Sequence, residues 1–201
     1  MSNVQEISRR LMDITELLRG SSEDRYDCPE FYTMLYMLTR MSRPRVIVEV
    51  GVHHGFSSLM FLRAIEYNKK GKLYSIDIGP TTTIATEDIG KTIPEQLKKN
   101  WQLIIGDARE KLPKLLDELG SIDMFLYDIP LSEKEDVISI LRKASYHLSF
   151  GGILIIDDPA DYVERFFWDC DPWREQGYGI WKIPATMSIK EEEDSFLVIV
   201  K

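Results

Sequence analysis
The sequence predicts an α/β fold: a doubly wound, mostly parallel seven-strand sheet with an antiparallel C-terminal strand and an N-terminal helical cap. Three observations predict it. Five apolar runs between Arg45 and Asp157 alternate with segments of helical character, the pattern of parallel strands joined by crossover helices. The first run, Arg45–Val50, is rich in β-branched residues, as a strand buried on both faces must be. Beyond Asp157 the alternation stops. Two further strand-like runs, Gly177–Ile183 and Ser195–Lys201, have only the polar segment Pro184–Asp194 between them, which favours antiparallel pairing.

Each element has its own signal. Val4, Ile7, Leu11, Ile14, Leu17 and Leu18 recur at three-and-four spacing and predict an amphipathic helix, ended by Gly20, Ser21 and Ser22. Pro29 opens a second helix as a first-turn proline, with Phe31, Leu35 and Leu38 on its buried side and Pro44 beyond its end. These two helices make the cap, residues 1–43, and residues 44–201 make the core of a single domain. A glycine turn follows the first strand, then a helix over Phe56–Asn68 that Gly71 breaks. Lys72–Asp77 is the second strand. After Gly79, Pro80 and three threonines a helix without a clear start runs to Lys99. Trp101–Ile105 is the third strand and Arg109–Leu119 the next helix. Ile122–Asp128 is the fourth strand. Ser132 and Glu135 are spaced as a capping box for a helix ending near Leu148. Gly151 and Gly152 lead into the fifth strand, Ile153–Asp157.

Composition narrows the function. At 201 residues, 44% hydrophobic and 29% charged, the chain has the make-up of a globular domain and not of a disordered or fibrous one. Twenty-five basic against 33 acidic residues leave a net charge of −8, which disfavours nucleic acid as a partner. Cys28 and Cys170 lie far apart without metal-ligand spacing and suit a reducing compartment. Strand-like runs such as Val46–Val50 and Ile153–Ile156 fall far short of the roughly 20 apolar residues that span a bilayer. Met1–Arg10 is polar and has no apolar leader core. A cytoplasmic location without a membrane partner is therefore expected.

The turn after the first strand carries the strongest local signal. It reads Glu49-Val50-Gly51-Val52-His53-His54-Gly55-Phe56-Ser57-Ser58. Glycines there allow a tight turn and a close approach to a ligand, and the following helix N-terminus offers free N–H groups to an anion. The spacing is neither the Gly-x-Gly-x-x-Gly of dinucleotide enzymes nor a phosphate loop with its lysine. Taken alone, it is equally a tight strand-to-helix turn.

This stretch resembles motif I of class I methyltransferases that use S-adenosylmethionine. It is most similar to the catechol and caffeoyl-CoA O-methyltransferase type, whose motif has the form Glu-x-Gly-x-x-x-Gly-x-Ser. Four further segments resemble that family in order: Lys72–Asp77, Ile105–Ala108, Ile122–Asp128 and Leu148–Asp158. The resemblance spans about Arg45 to Pro159 and implies a Rossmann-like core. It also implies S-adenosylmethionine as cofactor, held by Glu49, Gly51, Val52, His53, Gly55, Ser57, Asp77, Gly106, Asp107, Ala108 and Asp128. In that scheme Asp77 binds the ribose hydroxyls. Asp107 accepts from the adenine amino group or orients its loop. Ser57 donates to the cofactor carboxylate. Glu49 orients the glycine loop, reaches the amino end of the cofactor, or is only a satisfied acid. The implied reaction is methylation of a small-molecule hydroxyl, with Asp128 at the site of transfer. A nucleotide-cofactor oxidoreductase and a non-catalytic binding module stay open as alternatives.

Asp128, Asp157 and Asp158 fall at the carboxyl ends of neighbouring strands, the edge where open α/β sheets bind ligands. In the metal-dependent members of the family, acids and an amide at these places hold a divalent ion, so the resemblance implies a Mg²⁺ site here. The rival reading has Asp128 facing the transfer site without metal while Asp157 and Asp158 cap the next helix. The family's proton-accepting lysine is missing: its position is Leu131, and Lys134 lies further on. His53 or His54 is a candidate base or a plain loop residue. Tyr162, Phe166, Phe167, Trp168, Trp173, Tyr178 and Trp181 either line an acceptor pocket or build core and interface. Cores of this type often pair, so a homodimer is compatible with the sequence.

Overall fold
The computed structural model describes residues 29–81, 84–130, 133–168, 179–184 and 195–201. Helix α1 spans Pro29–Ser42, strand β1 Val46–Val50, α2 Phe56–Asn68, β2 Lys72–Asp77, β3 Trp101–Ile105, α3 Ala108–Leu119, β4 Ile122–Tyr127, α4 Lys134–His147, β5 Leu148–Asp157, α5 Asp161–Trp168, β6 Gly179–Pro184 and β7 Ser195–Val200. The seven strands form one sheet in the order β3-β2-β1-β4-β5-β7-β6. Strands β1 to β5 pair parallel, and β7 pairs antiparallel with both β5 and β6. The antiparallel C-terminal strand is thus present, and it lies inside the sheet with β6 at the edge.

Period-two alternation along the strands divides the core into two layers. Ile47, Leu73, Met124, Leu126, Ile153, Ile155, Phe196 and Val198 face α1 and α2. Val48, Val50, Phe125, Tyr127, Leu154, Ile156, Leu197 and Ile199 face α3, α4 and α5. Both faces of the central strands are covered, which is why they read as unbroken apolar runs. Helix α1 is fastened to the first layer in three ways. Phe31 stacks on Phe196 of β7 with ring centroids 4.7 Å apart. The Arg40 guanidinium lies 3.5 Å above the Tyr67 ring, and its Nη1 donates to Asn68 Oδ1. Asn68 Nδ2 in turn donates to the Thr39 carbonyl at 2.9 Å.

Four expectations change. The helix expected before Lys99 is absent. In its place are short 3₁₀ turns at Thr86–Asp88 and Glu95–Asn100, with Gly90 at φ +71° and Pro94 between them. Both residues interrupt an α-helix, and Ile84, Ile89, Ile93 and Leu97 are buried from this irregular segment. Strand β5 begins at Leu148 and takes in Gly151 and Gly152, with a register shift against β4 between Ile122 and Met124. Helix α4 starts after Glu133, whose side chain makes no capping bond, and Ser132 lies outside the described residues. Strand β6 begins at Gly179, while the helix expected over Val4–Leu18, the segment 185–194 and both cysteines fall outside the described residues.

Among the described residues no helix is long and apolar enough to cross a membrane. The Phe31–Phe196 stack gives a stability test. Phe31 is 3% exposed, so Phe31→Ala leaves a cavity and costs about 3–4 kcal/mol, read as a lower urea midpoint at unchanged m-value. A cost below about 1 kcal/mol means that α1 is not fastened through this contact.

Candidate active site
The carboxyl ends of β1, β2, β3 and β4 open into a cavity of about 920 Å³. Its floor is the β1–α2 turn. Gly51 takes φ +98°, and a methyl group there would sit 1.7 Å from the Asp128 carbonyl oxygen, so only glycine fits. Gly55, at φ +90°, makes the second reversal and starts α2 with no side chain capping it. The first-turn N–H groups of α2 are therefore available to an anionic ligand.

Asp77 ties this turn to the end of β2. Its Oδ2 accepts from the backbone N–H groups of Val52 and His53 at 3.0 and 3.1 Å, and its Oδ1 accepts from Gly79 at 2.9 Å. Three backbone bonds hold the carboxylate at the cavity wall. One lone-pair direction on Oδ1 stays open to a ligand hydroxyl.

The residues expected around a cofactor divide into two groups. Gly51, Val52, His53, Ser57, Asp77, Gly106, Asp107, Ala108 and Asp128 all line the cavity. Gly55 shapes the turn from below. Glu49 is different, and the cause is strand parity. It lies on the same face of β1 as Ile47, so it points at α2 and away from the cavity. There it is fully buried and accepts three hydroxyl bonds: Ser57 Oγ at 2.5 Å, Ser58 Oγ at 2.5 Å and Ser75 Oγ at 2.7 Å. Trp101 Nε1 donates to Ser75 Oγ at 2.9 Å and closes the network. Glu49 is thus not positioned as a cofactor contact. Ser57 faces the cavity, but its proton is already donated to Glu49 and is not free for a ligand carboxylate.

Burial pushes the Glu49 carboxyl up to about 7, against the three serine bonds that favour its ionised form; the Asp77 charge adds to the rise. The Asp128 carboxyl is also raised, first by burial, then by the Glu49 charge. A hydrogen bond with the Asp157 carboxyl pulls the other way, and Asp158 adds a further rise.

That arrangement does not suit a metal. Of the three aspartates expected to hold Mg²⁺, only Asp128 lines the cavity. Asp158 is exposed at φ +43°, its N–H donating to the Ser195 carbonyl at 3.2 Å. Among the described residues no group of three or more His, Cys, Asp or Glu is arranged to hold an ion.

Apart from His54, already a candidate base, the remaining lining residues were not singled out in the sequence. Tyr32 reaches the cavity from α1, beside Phe56, with ring centroids 6.3 Å apart. His54 is 8% exposed and lines the cavity, its ring 4.1 Å from that of the exposed His53. At the far end Arg109, Asp136 and Ile140 complete the wall. An acid two residues before an arginine at a helix start was the available signal for Arg109. The C-terminal aromatics are not cavity residues among those described. Phe167 is core, Tyr162 and Phe166 pack against it, and Trp181 is exposed on β6. Lys134 sits over the Tyr162 ring at 5.8 Å and does not replace the missing proton acceptor.

The buried Glu49 gives a pH test. Its folded value lies above the ordinary value of 4.5. Between about 4.5 and 7 the folded state keeps a proton that the unfolded chain releases, so stability falls as pH rises through this window and levels off above it. The slope from this one group is at most about 1.4 kcal/mol per pH unit. Glu49→Gln removes that part and, by taking away the Glu49 charge, also lessens the part due to Asp128. Urea unfolding at pH 5, 6 and 7.5 reads the difference, and equal slopes in both proteins would sink the assignment.

Comparison with known proteins agrees with this geometry. A family model described as a methyltransferase domain matches residues 48–159. No protein of curated function matches the sequence. Among solved structures, an O-methyltransferase from Bacillus cereus in complex with SAH superposes with a TM-score of 0.66 at 16% identity, covering 94% of this chain and 89% of that one. The O-methyltransferase TomG from Streptomyces achromogenes, solved with SAM, gives a TM-score of 0.66 at 17% identity, with 94% and 88% covered. An SAH-bound methyltransferase from Podospora anserina gives 0.60 at 17%, with 94% and 86% covered. The expected Rossmann-like seven-strand architecture is the one observed, and with a family model matching more than half of its length the chain belongs to the methyltransferase domain family.

Proposed function
We propose that this protein transfers a methyl group from S-adenosylmethionine to the hydroxyl of a small molecule. The observation that carries the reading is the single cavity running from the uncapped α2 N-terminus, past Asp77, to the β3–α3 turn. An amino-acid carboxylate suits the first, a ribose hydroxyl the second and a flat base the third. The neighbours solved with SAM or SAH support the same cofactor, and two of them are called O-methyltransferases.

When bound, the sulfonium supplies an electrophilic methyl group. The chain's own residues then have three tasks. The β1–α2 turn and Asp77 fix the donor, so that the acceptor meets it in line and at close range. Tyr32, Phe56, Ile129 and Pro130 line the cavity and offer the acceptor an apolar wall. Asp128 lies at the cavity edge, and its raised pKa makes it a better proton acceptor for the hydroxyl that is methylated. The acceptor is a small molecule rather than nucleic acid, in keeping with the net charge of −8.

Titration calorimetry with S-adenosylmethionine and S-adenosylhomocysteine tests the cofactor. Both bind in the micromolar range, and a chelator leaves the affinities unchanged. A folded protein that binds neither ligand overturns the reading. Asp128→Asn tests the role of the acid. It retains homocysteine-product affinity within a few-fold and lowers methyl transfer to an identified hydroxyl acceptor by about 10²-fold or more. Equal turnover in both proteins removes Asp128 from the proton step.

A further inference from the structure
The nucleoside end of the cavity holds an arrangement that the family resemblance does not lead one to expect. Asp107 caps α3, its Oδ1 accepting from the Arg109 N–H at 2.8 Å. The Arg109 side chain then folds back onto the same carboxylate. Its Nε lies 3.1 Å from Oδ1 and 3.0 Å from Oδ2, and its Nη2 lies 2.5 Å from Oδ2. A carboxylate has about four lone-pair directions. The backbone N–H, the shared Nε–H and the Nη2–H together occupy them. These bonds hold the Asp107 carboxyl well below the usual carboxylate range. The remaining Nη1 of Arg109 donates to Asp136 Oδ2 at 3.0 Å, which ties the β3–α3 turn to α4 across the cavity wall.

We propose that Arg109 takes over the carboxylate of Asp107, so that the base of the cofactor is held by its flat faces and not read through its exocyclic amino group. The inference rests on the cofactor reading above. With Asp107 engaged, the neighbouring wall offers Ile78, Ile140 and the guanidinium plane. A guanidinium stacks on an aromatic ring, and here two carboxylates already fix its plane, so little ordering accompanies binding. Arg109 is 58% exposed at the side chain, so its face is accessible from the cavity. Apolar and stacking contacts tolerate exchange of an amino group for a carbonyl oxygen, whereas an ionised carboxylate accepting from that amino group would not.

The experiment compares the affinities of S-adenosylhomocysteine and its 6-oxo (inosine) analogue in the wild type, Arg109→Gln and Arg109→Lys. The wild type separates the two ligands by less than about threefold, because the Asp107 carboxylate is already engaged by Arg109 and does not await the amino group. Arg109→Gln frees Asp107, raises the preference for the amino form to about tenfold or more and weakens the inosine analogue most. Arg109→Lys keeps the charge but loses the fork, and gives an intermediate preference. A change in affinity that is equal for both ligands would mark Arg109 as structural only and overturn the proposal. So would a wild type that already prefers the amino form by tenfold. If the folded wild type binds neither ligand, the cofactor reading fails and the proposal with it; binding with the wrong ratio overturns the proposal alone.

Discussion
The site depends on one close approach: the end of β1 against the end of β4. Asp128 donates its N–H to the Val50 carbonyl at 2.9 Å, and the Asp128 carbonyl oxygen then fills the space where a side chain on Gly51 would be. Two strand ends brought this close leave the chain no route but to turn sharply away, and φ +98° at Gly51 is that turn. Everything above the sheet follows. The turn sets the direction of α2, and α2 brings its uncapped N-terminus to the cavity. The backbone N–H groups of Val52 and His53 are aimed at Asp77, which fixes the β2 side of the opening.

Below the turn, the same strand carries an unusual core. One face of β1 holds Val48 and Val50 against an apolar layer, and the other holds Ile47 and then Glu49. A buried carboxyl is tolerable when its oxygens are satisfied, and three serine hydroxyls from β2 and α2 satisfy these. The network adds directionality where packing alone would allow α2 to slide or rotate. It also sets a negative or proton-bearing group beneath Asp128, and the two carboxyls influence each other's protonation. The chemistry of the cavity edge is thereby linked to a group that no ligand touches.

Much of this was legible in the residues. The helix over Phe56–Asn68 and the strands over Lys72–Asp77 and Trp101–Ile105 were marked by clear changes of period and by glycine stops, and the structure has the same limits. The glycine turn and the acids at the strand ends were legible for the same reason, since parallel strands end together at one edge. Side-chain direction was harder. Glu49 stands two residues from Gly51 in the motif, and only the parity of the buried strand turns it toward the serines. The metal expectation drew three acids together because they follow parallel strands. In the structure only Asp128 of the three lines the cavity, and Asp158 lies past the end of β5. The segment before Lys99 was read as a helix without weighing Gly90 and Pro94, which interrupt it. Tyr32 and Asp136 line the cavity by virtue of tertiary packing, which no local pattern encodes.

The strand order has a consequence for how the chain is made. Among the described residues β6 pairs only with β7, although it precedes β7 in the sequence, and β5 meets no other strand on that side. On the ribosome, β1 to β5 emerge and can zip together while the outer edge of β5 stays open and β6 has nothing to join. Both gaps close in a single event, when residues 195–200 insert between them. Until then the nascent chain carries an apolar, unpaired sheet edge of the kind that invites association with other chains. The fold thus leaves this edge to be covered by a strand made after both of the strands that it joins.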